Sequence, residues 1–134
     1  MIGGMLVFAL ASARLTHASQ RTTVIAGNIA HADTPGFKAQ DVEAFDFDRA
    51  AAASGAVQPK ATRPGHAVGQ SPPGRLELEV RAAAATDESP DGNTVSLEEQ
   101  MVHAAETRGQ FELAATLYAK HLAMLRTAIG RDNR

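Results

Sequence analysis

The chain has 134 residues, a size suited to one domain, with 44% hydrophobic and 21% charged residues. A formal charge of −2, with no basic cluster, excludes the electrostatic footprint of a nucleic-acid binder. Cysteine is absent, which excludes disulfides, thiolate metal sites and a cysteine nucleophile, and no apolar run approaches the ~20 residues of a membrane-spanning helix.

Aromatic residues are scarce and alanine abundant, so narrow helix contacts are expected in place of a thick interior. Phe8, Ala11, Leu15, Ala18, Thr22, Ile25, Ile29 and Ala32 follow an alternating 3-4 spacing. That spacing gathers them onto one stripe of an α-helix, the seam of a coiled coil. The first helix is predicted over about 5–32, roughly 42 Å long at 1.5 Å per residue. Thr22, Thr23, Val24 and Gly27 are weak helix formers, so this helix depends on its partners. Asp33-Thr34-Pro35-Gly36 ends it, because proline disfavours α geometry at Thr34 and Pro-Gly suits a turn.

Met5 to Ala11 followed by Ala11-Ser12-Ala13 imitates the core and cleavage site of a signal peptide. No Lys or Arg precedes Arg14, however, and the seam runs through the supposed cut. The chain is expected to be soluble, and any export to leave it uncleaved.

The middle, 37–95, alternates short ordered candidates with loops. Phe45-Asp46-Phe47-Asp48 leads into a short helix at Ala50–Ala53 that ends near Gly55. Pro59, Pro64, Gly65, Gly69, Pro72, Pro73 and Gly74 mark an extended loop. Leu76 to Arg81 alternates strictly and predicts a short half-buried strand.

The second long helix opens at Ser96, a cap, with Glu99 completing a capping box. It is predicted to run to Ile129 and stop at Gly130, with Gly109 as its weak point. Its seam reads Leu97, Met101, Ala104, Arg108, Phe111, Ala115, Tyr118, Leu122, Leu125 and Ile129. Arg108 on that stripe is expected to pair with Glu112 or a neighbour's carboxylate, or to lift its guanidinium into water. Glu99, His103 and Glu106 share a face expected to point away from the seam into solvent.

Chemistry finds little support. His17, His31, His66 and His121 show no metal spacing, and Phe45 and Phe47 interrupt the acidic run that would otherwise suggest calcium. No Gly-x-Ser-x-Gly, P-loop or dinucleotide fingerprint occurs. No cofactor, metal or catalytic residue is expected.

Asn28-Ile29-Ala30-His31-Ala32-Asp33-Thr34-Pro35-Gly36-Phe37-Lys38 resembles the N-terminal signature of bacterial flagellar axial proteins, with His31 in place of the usual second Asn and Phe37 in place of the commoner Tyr. Arg21 and Ile25-Ala26 also fit its spacing. Asp91-Gly92-Asn93-Thr94-Val95-Ser96-Leu97-Glu98-Glu99-Gln100-Met101 is similar to the opening of the last helix in rod proteins of that family, Gln100 replacing the usual Glu. Leu122 to Ile129 is similar to their closing run.

The resemblance implies a structural subunit of the proximal rod of the flagellar basal body, transmitting torque and building the axial export channel. It implies passage through the flagellum's own type III apparatus to a periplasmic position. Its partners would be further rod proteins, the inner-membrane ring, the export apparatus and copies of itself. The expected fold is mainly α, with the terminal helices paired as an antiparallel coiled coil. Three parts follow: 1–36, a helix and turn; 37–95, an irregular segment with a short strand; and 96–134, a helix. Assembly contacts are expected at Phe8, Leu15, Ile25, Asn28, Ile29, Pro35, Gly36, Phe37, Met101, Phe111, Tyr118, Leu122, Leu125 and Ile129. Rival readings are a generic coiled-coil adaptor, which would form a closed dimer, and a secreted enzyme, which would need a concave polar pocket.

Overall fold

The computed structural model describes residues 2–55 and 78–130. In chain order these form α1 (Ile2–Ala30), β1 (Gln40–Val42), α2 (Phe47–Gly55), β2 (Val80–Ala82) and α3 (Leu97–Ile129). The loop expected over 58–74 and the first two residues of the expected strand lie outside the described residues.

Ser96 caps α3 as anticipated: its hydroxyl accepts from the Glu99 N–H at 3.4 Å, and Glu98 and Glu99 sit at the positive end of the helix dipole. The helix ends against Gly130 at φ 130°, a backbone geometry that side chains rarely adopt. The first helix starts earlier than its hydrophobic spacing suggested and closes through tightened turns, His31 N–H reaching both Gly27 and Asn28 carbonyls at 3.1 Å.

Helices α1 and α3 lie side by side with opposite chain directions. Phe8 meets Tyr118 and His121 edge-on at 4.9 and 4.7 Å, Arg21 stands 3.9 Å from Glu106, and Asn28 bonds Gln100 at 2.9 Å. Apart from Ile25, the residues closing this contact are small or polar. Ala11, Ala18 and Ile25 are buried on α1, and Gln100, Thr107 and Ala114 on α3. Alanine and threonine let the two backbones approach closely; the bulky stripe of α3 would hold them apart.

The seam of α3 is therefore one residue out of the expected register. Met101, Arg108 and Ala115 each follow a buried residue by one position, about 100° round the helix. Leu97, Met101, Phe111 and Tyr118 remain 48%, 68%, 45% and 39% exposed. On α1 the expected Ala11, Ala18 and Ile25 are buried, whereas Thr22 and Ile29 are exposed.

The described part of the middle carries a strand pairing that its sequence did not suggest. β1 and β2 pair antiparallel in the register Gln40↔Ala82, Asp41↔Arg81 and Val42↔Val80. Bonds of 2.9 Å from Glu43 N–H to Glu79 O and from Ala83 N–H to Ala39 O extend the ladder at both ends. The observed strand thus starts later than the alternation at 76–81 implied, and its partner carried no alternation to detect. Three residues are too short to show a period of two. Both β1 and α2 touch α1, where Val42 and Ala50 are buried.

Candidate assembly surfaces

The two signature segments come together in space as one polar clamp. Asn28, on the last turn of α1, is 1% exposed. Its amide nitrogen donates to Gln40 O at 2.7 Å and to Gln100 Oε1 at 2.9 Å, and its oxygen accepts from Gln40 N–H at 3.0 Å. One side chain thus joins α1, β1 and α3.

Asn93 completes the clamp from the other segment. Its amide nitrogen lies 2.9 Å from the carbonyls of His31 and Ala32 and 2.8 Å from that of Thr34, gathering the carbonyls at the end of α1. Gly36 N–H donates to Asp91 O at 2.9 Å, and Thr94 N–H to Phe37 O at 3.0 Å. The Lys38 ammonium reaches Glu88 at 2.9 Å and Gly92 O at 3.0 Å. Gly36 and Gly92 adopt φ of 72° and 84°, in the left-handed region. A Cβ on Gly92 would stand 3.5 Å from the Gly36 Cα, so the two turns nest closely.

Midway along α1, Arg21 holds Asp41 through two parallel bonds of 2.9 Å. Burial pushes the Asp41 carboxyl up, but the Arg21 and Val42 hydrogen bonds, with the Arg21 and His103 charges, outweigh it and leave it below the ordinary carboxylate range. Glu106 completes a loose triad at 3.9 Å from Arg21. The Glu99–His103–Glu106 face is consequently turned towards its surroundings in the fold, contrary to expectation: Glu106 meets Arg21, His103 is half-buried, and Glu99 accepts from Thr86 at 3.4 Å. The helix rotation that buries Thr107 brings Glu99 and His103 partly inward, while Glu106 stays exposed beside Arg21. Arg108 pairs with Glu112 at 2.9 Å on the outside, where such a pair adds little stability.

Two concave apolar flanks border the α1–α3 contact. One, of about 300 Å³, is lined by Val7, Leu10, Phe47, Leu113 and Leu117 and ends at Arg14 and Gln110. The other, of about 480 Å³, lies between Thr22 and Ile25 on α1 and Ala104, Arg108 and Phe111 on α3. Leu113 and Phe111 are two positions apart, about 160° round the helix, so the flanks face different directions.

Beside the first flank, Arg14 lies over the Phe45 and Phe47 rings at 4.7 and 5.7 Å. Burial, then the nearby Arg21 charge, lower its pKa below the usual guanidinium value. His17 next to it is buried, bonded to Glu43 O at 2.7 Å and edge-on to Phe45.

The residues expected at assembly contacts divide into three groups. Ile25 and Asn28 are occupied inside the chain. Phe8, Leu15, Phe37, Leu122 and Leu125 are half-buried, Phe37 stacking on His31 at 4.6 Å. Ile29, Pro35, Gly36, Met101, Phe111, Tyr118 and Ile129 are exposed. Sequence reasoning missed Arg14, Asp41 and the clamping role of Asn93. The last had a signal: an amide side chain after Asp-Gly and before a helix cap is well placed to receive another helix's end.

Among the described residues, no group of three His, Asp or Glu could hold a metal ion, and no helix is long and apolar enough to cross a membrane. Two long helices clamped at their signature segments, with unequal apolar flanks left outward, define a structural subunit of an axial assembly. No family model matches the chain. The chain is 36% identical over 125 residues to the flagellar basal body rod protein FlgB of Agrobacterium fabrum, a match covering 90% of this chain and 91% of that protein. It belongs to the FlgB family of flagellar basal-body rod proteins.

Proposed function

We propose that this chain is a mechanical element of the proximal rod, carrying torque through side-chain contacts while its helices build the wall of the axial export channel. As a member of the FlgB family it is a structural subunit of the flagellar basal body. The observation that carries the mechanical reading is the pair of different apolar flanks on one antiparallel helix pair. Two unlike faces allow heterologous contacts, which build a helical assembly when the rotation between copies does not close. The antiparallel contact of α1 and α3 acts as a coiled coil, although its buried register uses small and polar residues.

The segments 1–36 and 96–134 supply the assembly helices, and 37–95 braces them. Met101, Phe111, Tyr118 and Ile129, with the half-buried Leu122 and Leu125, meet neighbouring subunits. Those neighbours are further rod proteins, with the inner-membrane ring and the export apparatus at the base of the rod. Export proceeds without cleavage: α1 continues through Ala11-Ser12-Ala13, and Ala11 is buried in the subunit, so a cut there would remove part of its interior.

Deleting the chain in its source cell should stop motility, and a plasmid copy should restore it. The intact mass of the chain from purified basal bodies should include Phe8 and Ala11. Normal swimming without the chain, or its absence from basal bodies, would sink the rod reading.

A further inference from the structure

The groove that ends at Arg14 has a counterpart on the same molecule. Arg14 is the polar end of an apolar trough walled by Val7 and the half-buried Leu10 from α1 and by Leu113 and Leu117 from α3, of which Val7, Leu113 and Leu117 are exposed. Among the described residues no carboxylate pairs with Arg14; its guanidinium rests on Phe45 and Phe47 and shares its pocket with the like charge of Arg21. A cation held on aromatic rings at the mouth of an apolar groove favours a carboxylate that arrives with apolar neighbours.

The outer face of α3 supplies that pattern. Glu98, Met101, Val102 and Ala105 are exposed, Met101 at 68% and Val102 at 56%. At 100° per residue they occupy the side of α3 opposite Thr107, away from α1. Glu98 forms no ion pair among the described residues. The lengths also agree: Val7 to Arg14 and Glu98 to Ala105 each cover seven steps, about 10 Å.

We propose that the Val7–Arg14 groove of one copy receives the outer face of α3 from a second copy, with Glu98 set against Arg14 and Met101, Val102 and Ala105 along the apolar walls. This deepens the rod reading and rests on it. Arg14 lies level with Gln110, so Glu98 of the incoming copy aligns with Gln110 of the receiving one. The incoming α3 then runs parallel to the receiving α3, displaced by twelve residues, about 18 Å. Groove and inserted face are different surfaces of one chain, and every copy carries both. The contact therefore propagates in one direction and cannot close as a symmetric dimer.

Charge reversal and cross-linking test it in flagellated cells. Arg14→Glu and Glu98→Arg should each lower recovery of the chain in basal bodies at least about tenfold, because like charges meet in a desolvated contact. The double variant should recover to within about twofold of wild type. The chain has no cysteine of its own, so Leu117→Cys with Ala105→Cys gives a clean second measurement. Within one chain these positions are about 18 Å apart and cannot bond to each other. Mild oxidation of basal bodies should give a ladder of dimers and higher species from the double-cysteine chain, and monomer alone from either single variant. If wild-type chain is present in basal bodies but neither rescue nor ladder appears, this contact is wrong and the rod reading stands. If a reversed variant fails to fold, the ladder decides alone.

Discussion

The amide nitrogen of Asn28 donates to Gln100 Oε1 at 2.9 Å in a place where both side chains are at most 3% exposed. The bond ties the end of α1 to the start of α3 across 72 residues of sequence. Alternatives with α3 slid along or rotated about α1 would break this bond, leaving Asn28 only its bonds to Gln40 and taking Gln100 from its partner. A buried amide pair of this kind fixes register more than it adds stability. Asn28→Ala should destabilise the chain by about 2–4 kcal/mol, since it orphans Gln40 N–H and Gln100 together. A double-mutant cycle with Gln100→Ala, read by urea denaturation, should show a coupling of roughly 1 kcal/mol or more. Strict additivity would mean that the two side chains do not act as a unit.

Thr107 offers the opposite case. Its hydroxyl is buried beside α1 with no hydrogen-bond partner among the described residues. Valine has nearly the same shape and no polar atom to satisfy. Thr107→Val should raise stability by about 1 kcal/mol. A fall of similar size in thermal unfolding would show that the hydroxyl has a partner in the folded chain.

Gly92 carries the turn that lets Asp91 and Asn93 reach the end of α1. At φ 84° any side chain is strained, although a Cβ would stand at ordinary contact distance, 3.5 Å, from the Gly36 Cα. Gly92→Ala should cost about 1–2 kcal/mol from backbone strain. The loss should appear as faster amide exchange around Thr34 to Phe37, where the clamp closes, with the middle of α3 unchanged.

Asp41 makes the fold sensitive to acid. Its carboxyl is held below its unfolded value of about 4, so its contribution is complete above that pH. The contribution is lost as pH falls through the folded value, when the proton displaces Arg21 from its carboxylate. Stability should therefore decline from about pH 4 downward. Asp41→Asn should lower stability at pH 7 and flatten that part of the acid limb. An unchanged acid limb in the variant would assign the acid sensitivity to other carboxylates.

Leu122 tests the mechanical reading. It is half-buried beside the helix contact, so Leu122→Ala should cost up to about 2 kcal/mol and reduce motility while the chain is still made. Glu99→Gln leaves Ser96 able to cap α3 and should be nearly silent. Equal swimming in the two variants would remove Leu122 from the assembly contacts.

The sequence by itself determined the helices and the family. Long 3-4 spacings, the Ser96 cap, Thr34-Pro35-Gly36 and Gly130 act over a few residues, where local chemistry decides, and α3 accordingly runs from Leu97 to Ile129. The signature segments were legible for the same reason. Which stripe of each helix faces the other was decided only in three dimensions. Hydrophobic spacing marks every apolar face alike, whether it meets the chain's own helix or a neighbour's. The choice fell to close approach at Ala18 and Thr107 and to the needs of Asn28 and Gln100, whose partners lie 72 residues apart. The pairing of β1 with β2 was hidden likewise, because strands of three residues gain their order from bonds to each other and from the burial of Val42 against the rest of the fold. Bringing Gln100 to Asn28 and Thr107 against α1 left Met101, Phe111 and Leu113 outside, the tertiary decision on which the proposed assembly surfaces rest.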